Sequence, residues 1–345
     1  MSDTNTPQIL LTGGTGLLGA HLLQQLTAKG IRVRAICRKD SSRRVVDKVF
    51  AAYSAQPEAD AARVEWVTAD VTDYYSLEDA FEGIETVFHV AGYISFNPRE
   101  KRKLEAINVR GTANVVDAAL YRGVKKLVYV SSVEALGRVD LDELITEETP
   151  WKNSPLNSHY AITKHAGERE AWRGSEEGLR VLVVHPGLIL GYGDWGNGSG
   201  QLVKRLAEGQ PFYTDGSIGW VDVRDTARAM LELDAAGAYG ERFILINENL
   251  PFQQAFARMS AHLGVRAPYR KAGPLMLRAA VWTEKLKSIF TGKDPLVTRE
   301  TAITVSLRSH YDNSKINRHI SFRYTPFEET LAEVSRRYKA DLTDK

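Results

Sequence analysis

The sequence predicts an α/β fold, a doubly wound parallel sheet with a smaller C-terminal cap, and three observations carry that prediction. A short apolar run, Ile9, Leu10 and Leu11, breaks into glycines and resumes as a helical pattern. Apolar runs of strand length then alternate with helical patterns as far as Val184, which implies parallel strands joined by right-handed crossovers. From Gly191 the texture changes to a glycine-rich loop, and the alternation afterwards is looser.

Taken in order, Ile9, Leu10 and Leu11 are too short and too sharply bounded a run for a helix, and read as a buried strand. Leu18, Leu22, Leu23 and Leu26 recur at three- and four-residue intervals, which is a helix face. Thr12-Gly13-Gly14-Thr15-Gly16-Leu17-Leu18-Gly19 is therefore a strand-to-helix turn. A turn this tight needs residues without Cβ clashes, and bare backbone lets a pyrophosphate approach the positive end of the helix. The reading is a dinucleotide site; the plainer one is a Gly-rich connection with no ligand.

Residues 31–37 alternate into a second strand, followed by Arg38, Lys39, Arg43 and Arg44. In a dinucleotide fold this position meets the adenosine ribose, where a carboxylate suits a free 2′-hydroxyl and an arginine suits a 2′-phosphate. Asp40 comes a few residues late, so Arg38 points to NADP, with NAD the alternative and a solvated basic loop the plain reading. A third strand over 64–67 ends at Asp70 and Val71, where a carboxylate can accept from the adenine amine. A short helix over 77–81 and a fourth strand over 86–90 follow, the strand running into Ala91 and Gly92; His89, inside the apolar run, reads as a satisfied core histidine. Next come a helix over 108–120, a strand over 127–130 ending at Ser131 and Ser132, a helix near 160–172, and a strand over 181–184 ending at His185, Pro186 and Gly187.

Gly191, Gly193, Gly196, Gly198 and Gly200 make a flexible loop. Residues 1–190 thus read as the nucleotide-binding core, with segments near 215–250 returning to it, and residues 191–345 as mainly cap. Residues 242–246 are strand-like and 254–263 form an amphipathic helix. Residues 274–290 carry apolar residues at helical spacing with Arg278, Lys285 and Lys287. That stretch either lies on a membrane surface or packs on the core as a cap helix.

The totals bound the function. Hydrophobic residues at 43% and charged residues at 26% of 345 exclude a disordered or membrane-embedded chain. With 45 basic and 43 acidic residues, nothing predicts a nucleic-acid partner. Cys37 is the only cysteine and HExxH and CxxC are absent, so neither an internal disulfide nor a metal site is expected, which suits a reducing compartment. Residues 1–7 are polar and lack the pattern of a signal peptide, and no apolar run reaches spanning length; the expectation is a cytoplasmic protein with no integral membrane segment.

Chemistry concentrates at three positions. Tyr160 and Lys164 stand four residues apart on one predicted helix and share a face, so an ammonium can lower the phenol toward a useful acid/base. Ser132, at the C-terminal end of a parallel strand, can donate to a substrate oxygen as charge develops. Aromatic residues expected nearby, Tyr93, Phe96, Trp151, Tyr192 and Trp195, suit a ketone or secondary alcohol on a hydrophobic body, with Glu134 adding a polar contact. Several of these aromatics have packing of the cap as their plain reading.

The glycine motif, Ser132 and Tyr160-Ala161-Ile162-Thr163-Lys164, in this order, resemble the extended short-chain dehydrogenase/reductase family. The resemblance continues through Val87-Phe88-His89-Val90-Ala91-Gly92, Asn108-Val109-Arg110-Gly111-Thr112-Ala113-Asn114-Val115 and Val221-Asp222-Val223-Arg224-Asp225-Thr226-Ala227, covering residues 8–265. It implies a Rossmann-type core with a C-terminal substrate-binding cap, Tyr160 as acid/base, Ser132 orienting the substrate oxygen, and Lys164 tuning Tyr160 and holding the nicotinamide ribose. Asn108 resembles the family's structural and proton-relay asparagine. Gly13, Gly16 and Gly19 would hold the pyrophosphate, Asp70 the adenine, Pro186 and Leu188 the nicotinamide end; a homodimer is suggested. Nucleotide-sugar enzymes of the family usually carry an arginine just before the motif at Val221, where this chain has Ser217-Ile218-Gly219-Trp220. Ser131-Ser132-Val133-Glu134-Ala135-Leu136-Gly137 is instead similar to the dihydroflavonol reductase and 3β-hydroxysteroid dehydrogenase branches. The expected activity is a reductase or dehydrogenase acting on a small molecule. Its rivals are an epimerase or dehydratase using the cofactor transiently, and a cofactor-binding regulatory protein without turnover.

Overall fold

A computed structural model describes residues 7–137, 143–291, 295 and 297–343; residues 1–6 of the polar N-terminal stretch lie outside it. The first half alternates as its apolar pattern requires: β1 (Ile9–Thr12), α1 (Leu17–Ala28), β2 (Val33–Cys37), α2 (Arg44–Tyr53), α3 (Pro57–Ala61), β3 (Val64–Thr68), α4 (Tyr74–Ala80), β4 (Thr86–His89), α5 (Lys101–Leu104), α6 (Gly111–Tyr121), β5 (Lys126–Val130), β6 (Leu144–Ile145), α7 (His159–Glu176) and β7 (Arg180–Pro186). The second half holds β8 (Leu188–Leu190), α8 (Gly198–Ala207), β9 (Phe212–Tyr213), β10 (Ser217–Asp222), α9 (Val223–Ala235), β11 (Glu241–Leu245), β12 (Glu248–Pro251), α10 (Phe252–Leu263), β13 (Arg270–Lys271), α11 (Pro274–Thr291), α12 (Arg299–Thr304), β14 (His310–Tyr311) and α13 (Phe327–Thr343).

Seven strands form one parallel sheet in the order β3-β2-β1-β4-β5-β7-β11, which is the Rossmann-like, doubly wound arrangement. Helices cover both faces, giving one apolar cluster with α1, α2 and α9 and another with α4, α6 and α7. β11 comes from the late segment over 241–245, so the chain does return to the sheet after leaving it. Because all seven strands run the same way, the segments that follow β1, β4, β5 and β7 emerge along one edge.

The remaining segments gather on a third cluster built from Leu190, Trp220, Phe252, Phe327 and Leu331. α13 is held there by Asp222, which accepts from Thr330 Oγ1 at 2.9 Å and is itself paired with Arg224 at 2.5 Å. Two expectations need correction. The loop read over 191–200 ends early, because Gly198 and Gly200 open α8; a Cβ at Gly200 would lie 2.0 Å from the Asp194 carbonyl oxygen, so this glycine serves a close approach rather than mobility. α11 does not bury itself as a core-packed cap helix: Ser288 alone among its residues is buried, and Leu275, Trp282, Leu286, Ile289 and Phe290 are exposed.

Candidate active site

The glycine turn is built by close approach. Gly13 sits at φ +73°, and a Cβ there would lie 2.6 Å from the Ala91 amide nitrogen, so β1 and β4 can meet only across a glycine. Thr12 Oγ1 fastens the same junction, accepting from Ala91 N at 3.0 Å and bonding His89 Nδ1 at 2.7 Å. His89 continues to Thr112 Oγ1 at 3.1 Å; fully buried, it is held neutral, its pKa lowered to about 3, chiefly by loss of water. It is the satisfied core histidine its apolar run suggested.

Gly19 packs α1 onto this turn, since a Cβ would lie 2.2 Å from the Gly13 carbonyl oxygen. Gly16 caps α1 with no side-chain bond, and no acidic residue stands in the first turn. The helix therefore opens with its positive end beside bare backbone, which fits an anionic pyrophosphate by donor set and by space. Leu18 is buried in the core and Leu17 is half-buried at the start of α1. Arg38 is exposed just past β2. Asp70, half-buried past β3, uses one carboxylate oxygen on Thr72 N and Oγ1, at 2.9 and 2.8 Å. Val71 packs beneath α6, where a Cβ at Gly111 would come within 2.9 Å of it. Pro186 ends β7 and Leu188 begins β8.

Further along this edge the reactive candidates converge. Ser158 caps α7, accepting from Ala161 N at 3.1 Å, and the helix delivers Tyr160 and Lys164 into the interior, 8% and 4% exposed. Burial raises the Tyr160 phenol to about 12, and the neighbouring Ser132 hydroxyl pulls it the other way. Ser132 Oγ in turn accepts from Glu134 N at 3.2 Å, and the charge of buried Glu134 adds to the upward shift. The Phe96 ring meets Tyr160 edge-on at 6.0 Å.

Lys164, one turn further along α7, is anchored on β5. Its Nζ donates to the Val130 carbonyl at 2.7 Å and to Tyr129 Oη at 3.0 Å, and burial lowers it to about 7 against the raising field of Glu168. Sharing a helix face does not fix where a long side chain ends, and here the carbonyl at the end of β5 accepts from it. A Cβ on Gly92 would lie at ordinary contact distance, 3.6 Å from Asn108 Oδ1 and 3.8 Å from Lys164 Nζ, so Gly92 lies beside both side chains. Asn108 lies in a π-helical stretch over Glu105–Arg110. Its amide accepts from Tyr93 N at 2.8 Å and donates to Tyr93 O at 2.9 Å and Thr163 Oγ1 at 3.2 Å, which ties the segment after β4 to α7.

The expected aromatic lining divides. Tyr93 is held by Asn108 through its backbone, while its hydroxyl donates to Glu100 at 2.5 Å. The Trp195 indole N–H donates to Asp341 at 2.8 Å and its ring meets Tyr338 edge-on at 5.1 Å, packing α13 because a flat amphipathic ring satisfies an apolar face and a carboxylate together. Tyr192 joins it on Asp341 at 2.9 Å, and Trp151 stacks on His165 at 4.3 Å. Sequence reasoning missed Tyr129 and Glu168. Glu168, 3% exposed, accepts from Ser131 Oγ at 2.7 Å and meets His185 Nε2 at 2.7 Å, and its carboxyl is lowered to about 2 as these bonds and the charges of His185 and Arg242 outweigh burial. The signal was present in its spacing, one turn beyond Lys164.

Comparison with known proteins places this architecture. A family model described as the NAD dependent epimerase/dehydratase family matches residues 9–244. A Synechocystis sp. protein provisionally named dihydroflavonol 4-reductase is 28% identical over 331 residues, covering 94% of this chain and 92% of its own. A 3-beta-hydroxysteroid dehydrogenase from Mycolicibacterium neoaurum is 26% identical over 362 residues, covering 99% and 93%. The crystal structure of gox2253 superposes with a TM-score of 0.79 at 27% identity, covering 97% of this chain and 99% of that one. With a parallel sheet whose glycine turn meets β4 and a family model matched over most of its length, the chain belongs to the NAD dependent epimerase/dehydratase family, whose members bind NAD(P).

Proposed function

We propose that the protein is an NADP-dependent oxidoreductase that moves a hydride between the nicotinamide and a ketone or secondary alcohol on a hydrophobic small molecule. The observation that carries this reading is that the end of β5 and the first turn of α7 bring Ser132 and Tyr160, both buried, together at the carboxyl edge of the sheet, where Ser132 lowers the phenol against the effect of burial. The bound nicotinamide supplies or accepts the hydride. Gly13, Thr15, Gly16, Leu17 and Gly19 would hold the pyrophosphate, Asp70 and Val71 the adenine, Arg38 a 2′-phosphate, and Ala91, Gly92, Pro186 and Leu188 the nicotinamide half.

In the direction of reduction, Ser132 Oγ orients the carbonyl oxygen and Tyr160 Oη delivers its proton there as negative charge develops. A phenol raised to about 12 is protonated throughout the neutral range, which suits an acid. Lys164, once it faces the cofactor ribose, adds positive charge beside the phenolate left behind. Tyr93 and Glu134 flank the substrate. Support for a hydrophobic substrate comes from Phe96 against Tyr160, from Ser217-Ile218-Gly219-Trp220 in place of a diphosphate-binding arginine, and from the names of the two curated relatives. Tyr160→Phe should lower turnover of an aromatic or steroidal carbonyl panel by about a thousandfold while NADPH affinity changes little, since the proton donor alone is removed. Retained turnover would overturn the role assigned to Tyr160.

A further inference from the structure

α11 is amphipathic the wrong way round for a helix that only packs on its own protein. Its inward stripe is Leu277, Val281, Glu284 and Ser288, half-buried or buried. Its outward stripe, at the same spacing, is the more apolar: Leu275 is 80% exposed, Trp282 64%, Leu286 51%, Ile289 61% and Phe290 86%. Single exposed apolar residues are ordinary, but five on one helical face form a patch that water does not favour. Basic side chains edge that patch. Arg278 and Lys285 lie on one flank; Lys287 lies on the other, where it pairs at 3.5 Å with the half-buried Glu284, the one acidic residue of the helix.

We propose that this face docks on an anionic lipid bilayer, with α11 lying in the interface. A second copy of the chain is the less suitable occupant, because pairing two such faces would bring their basic rims together, whereas anionic headgroups complement them. Among the described residues no helix is long and apolar enough to cross a membrane, so the contact is peripheral. An aromatic ring and lysine stems at the rim are side chains that settle at the headgroup level.

The helix is also tied to the reactive edge. Arg99 Nη1 donates to Ser288 Oγ at 2.9 Å, and the same segment carries Phe96, whose ring contacts Tyr160 and whose carbonyl accepts from Thr298 Oγ1 at 2.6 Å. A bilayer under α11 would thus stand beside the mouth that Phe96 frames. Resting on the function proposed above, this makes a bilayer-dissolved carbonyl or alcohol the substrate class.

Flotation of the full-length protein with phosphatidylcholine vesicles, with and without phosphatidylglycerol, tests the docking without cofactor or turnover. The protein should float with the anionic vesicles and lose binding as salt rises. Leu286→Glu with Phe290→Glu should lower binding by about tenfold or more, and Lys285→Ala and Arg278→Ala by about fivefold each. These side chains point outward, so an unchanged melting temperature certifies the fold of each variant. Absence of flotation with anionic vesicles, or flotation indifferent to the paired glutamates, would overturn the proposal. A dimer in sedimentation that the glutamates split, without vesicle binding, would do the same and assign the face to a second copy. Failure of hydride transfer with flotation intact would strike only the proposed reaction.

Discussion

At the scale of single residues the cofactor preference rests on Arg38, exposed just beyond β2 where an adenosine ribose is met. If its guanidinium clamps a 2′-phosphate, Arg38→Ala should weaken NADPH by about tenfold or more, the worth of one charge-assisted contact, and leave NADH nearly unchanged. Parallel titrations of both nucleotides decide it, and equal losses would reassign the protein to NAD. Tyr160, Lys164 and Ser132 could be named from spacing because side chains four apart on a helix share a face and strand ends of a parallel sheet share an edge. What spacing could not give was where Lys164 points, since its reach to the Val130 carbonyl and Tyr129 depends on two strands brought together only in three dimensions. For Trp195, likewise, the sequence could not give the partner of its N–H, Asp341 on α13, 146 residues away in the chain.

At the scale of elements, α7 carries both a cation and the carboxylate that sustains it. Burial lowers Lys164 to about 7 and Glu168, one turn on, raises it. For a lysine the charged form is lost as pH rises through its pKa, so kcat/KM should fall along an alkaline limb set by Lys164. Glu168→Gln removes the raising field and should move that limb to lower pH by about one unit, while Glu168→Asp restores it. A purely structural role would lower the rate evenly and leave the limb in place, so the pH profile separates the two. Elements themselves were legible where apolar residues kept their period. α2 and α13 went unread although Val46, Val49 and Phe50 in one and Phe327, Leu331, Val334 and Tyr338 in the other keep helical spacing, and α8 was hidden by glycines that look like loop until the Asp194 carbonyl is seen against Gly200. The motif Val221-Asp222-Val223-Arg224-Asp225 carried the family resemblance, yet its acids act as clamps: Asp222 caps α9 and holds Thr330, and Asp225 holds Thr325 N at 2.6 Å.

At the scale of the whole molecule, two histidines make the fold sensitive to mild acid. His21, on α1, bonds the Tyr192 carbonyl through Nε2 at 2.9 Å and so joins the glycine turn's helix to the segment that leaves the sheet. Burial lowers it from 6.5 to about 4, and His89 from 6.5 to about 3. Each is therefore neutral in the native state and protonates more readily when unfolded. Stability from both is complete above pH 6.5 and drains as pH falls from there toward the native values; for His21 the loss is about 3 kcal/mol, complete near pH 4. The buried carboxyl of Glu168, lowered from 4.5 to about 2, adds its own loss only below pH 4.5, so the upper part of the acid slope belongs to the histidines. Denaturant unfolding across this range should show the slope, and His21→Gln, which keeps a donor but does not titrate, should remove the His21 share while leaving stability near neutrality little changed. A slope unaffected by that substitution would mean that His21 is not the buried neutral base its packing requires.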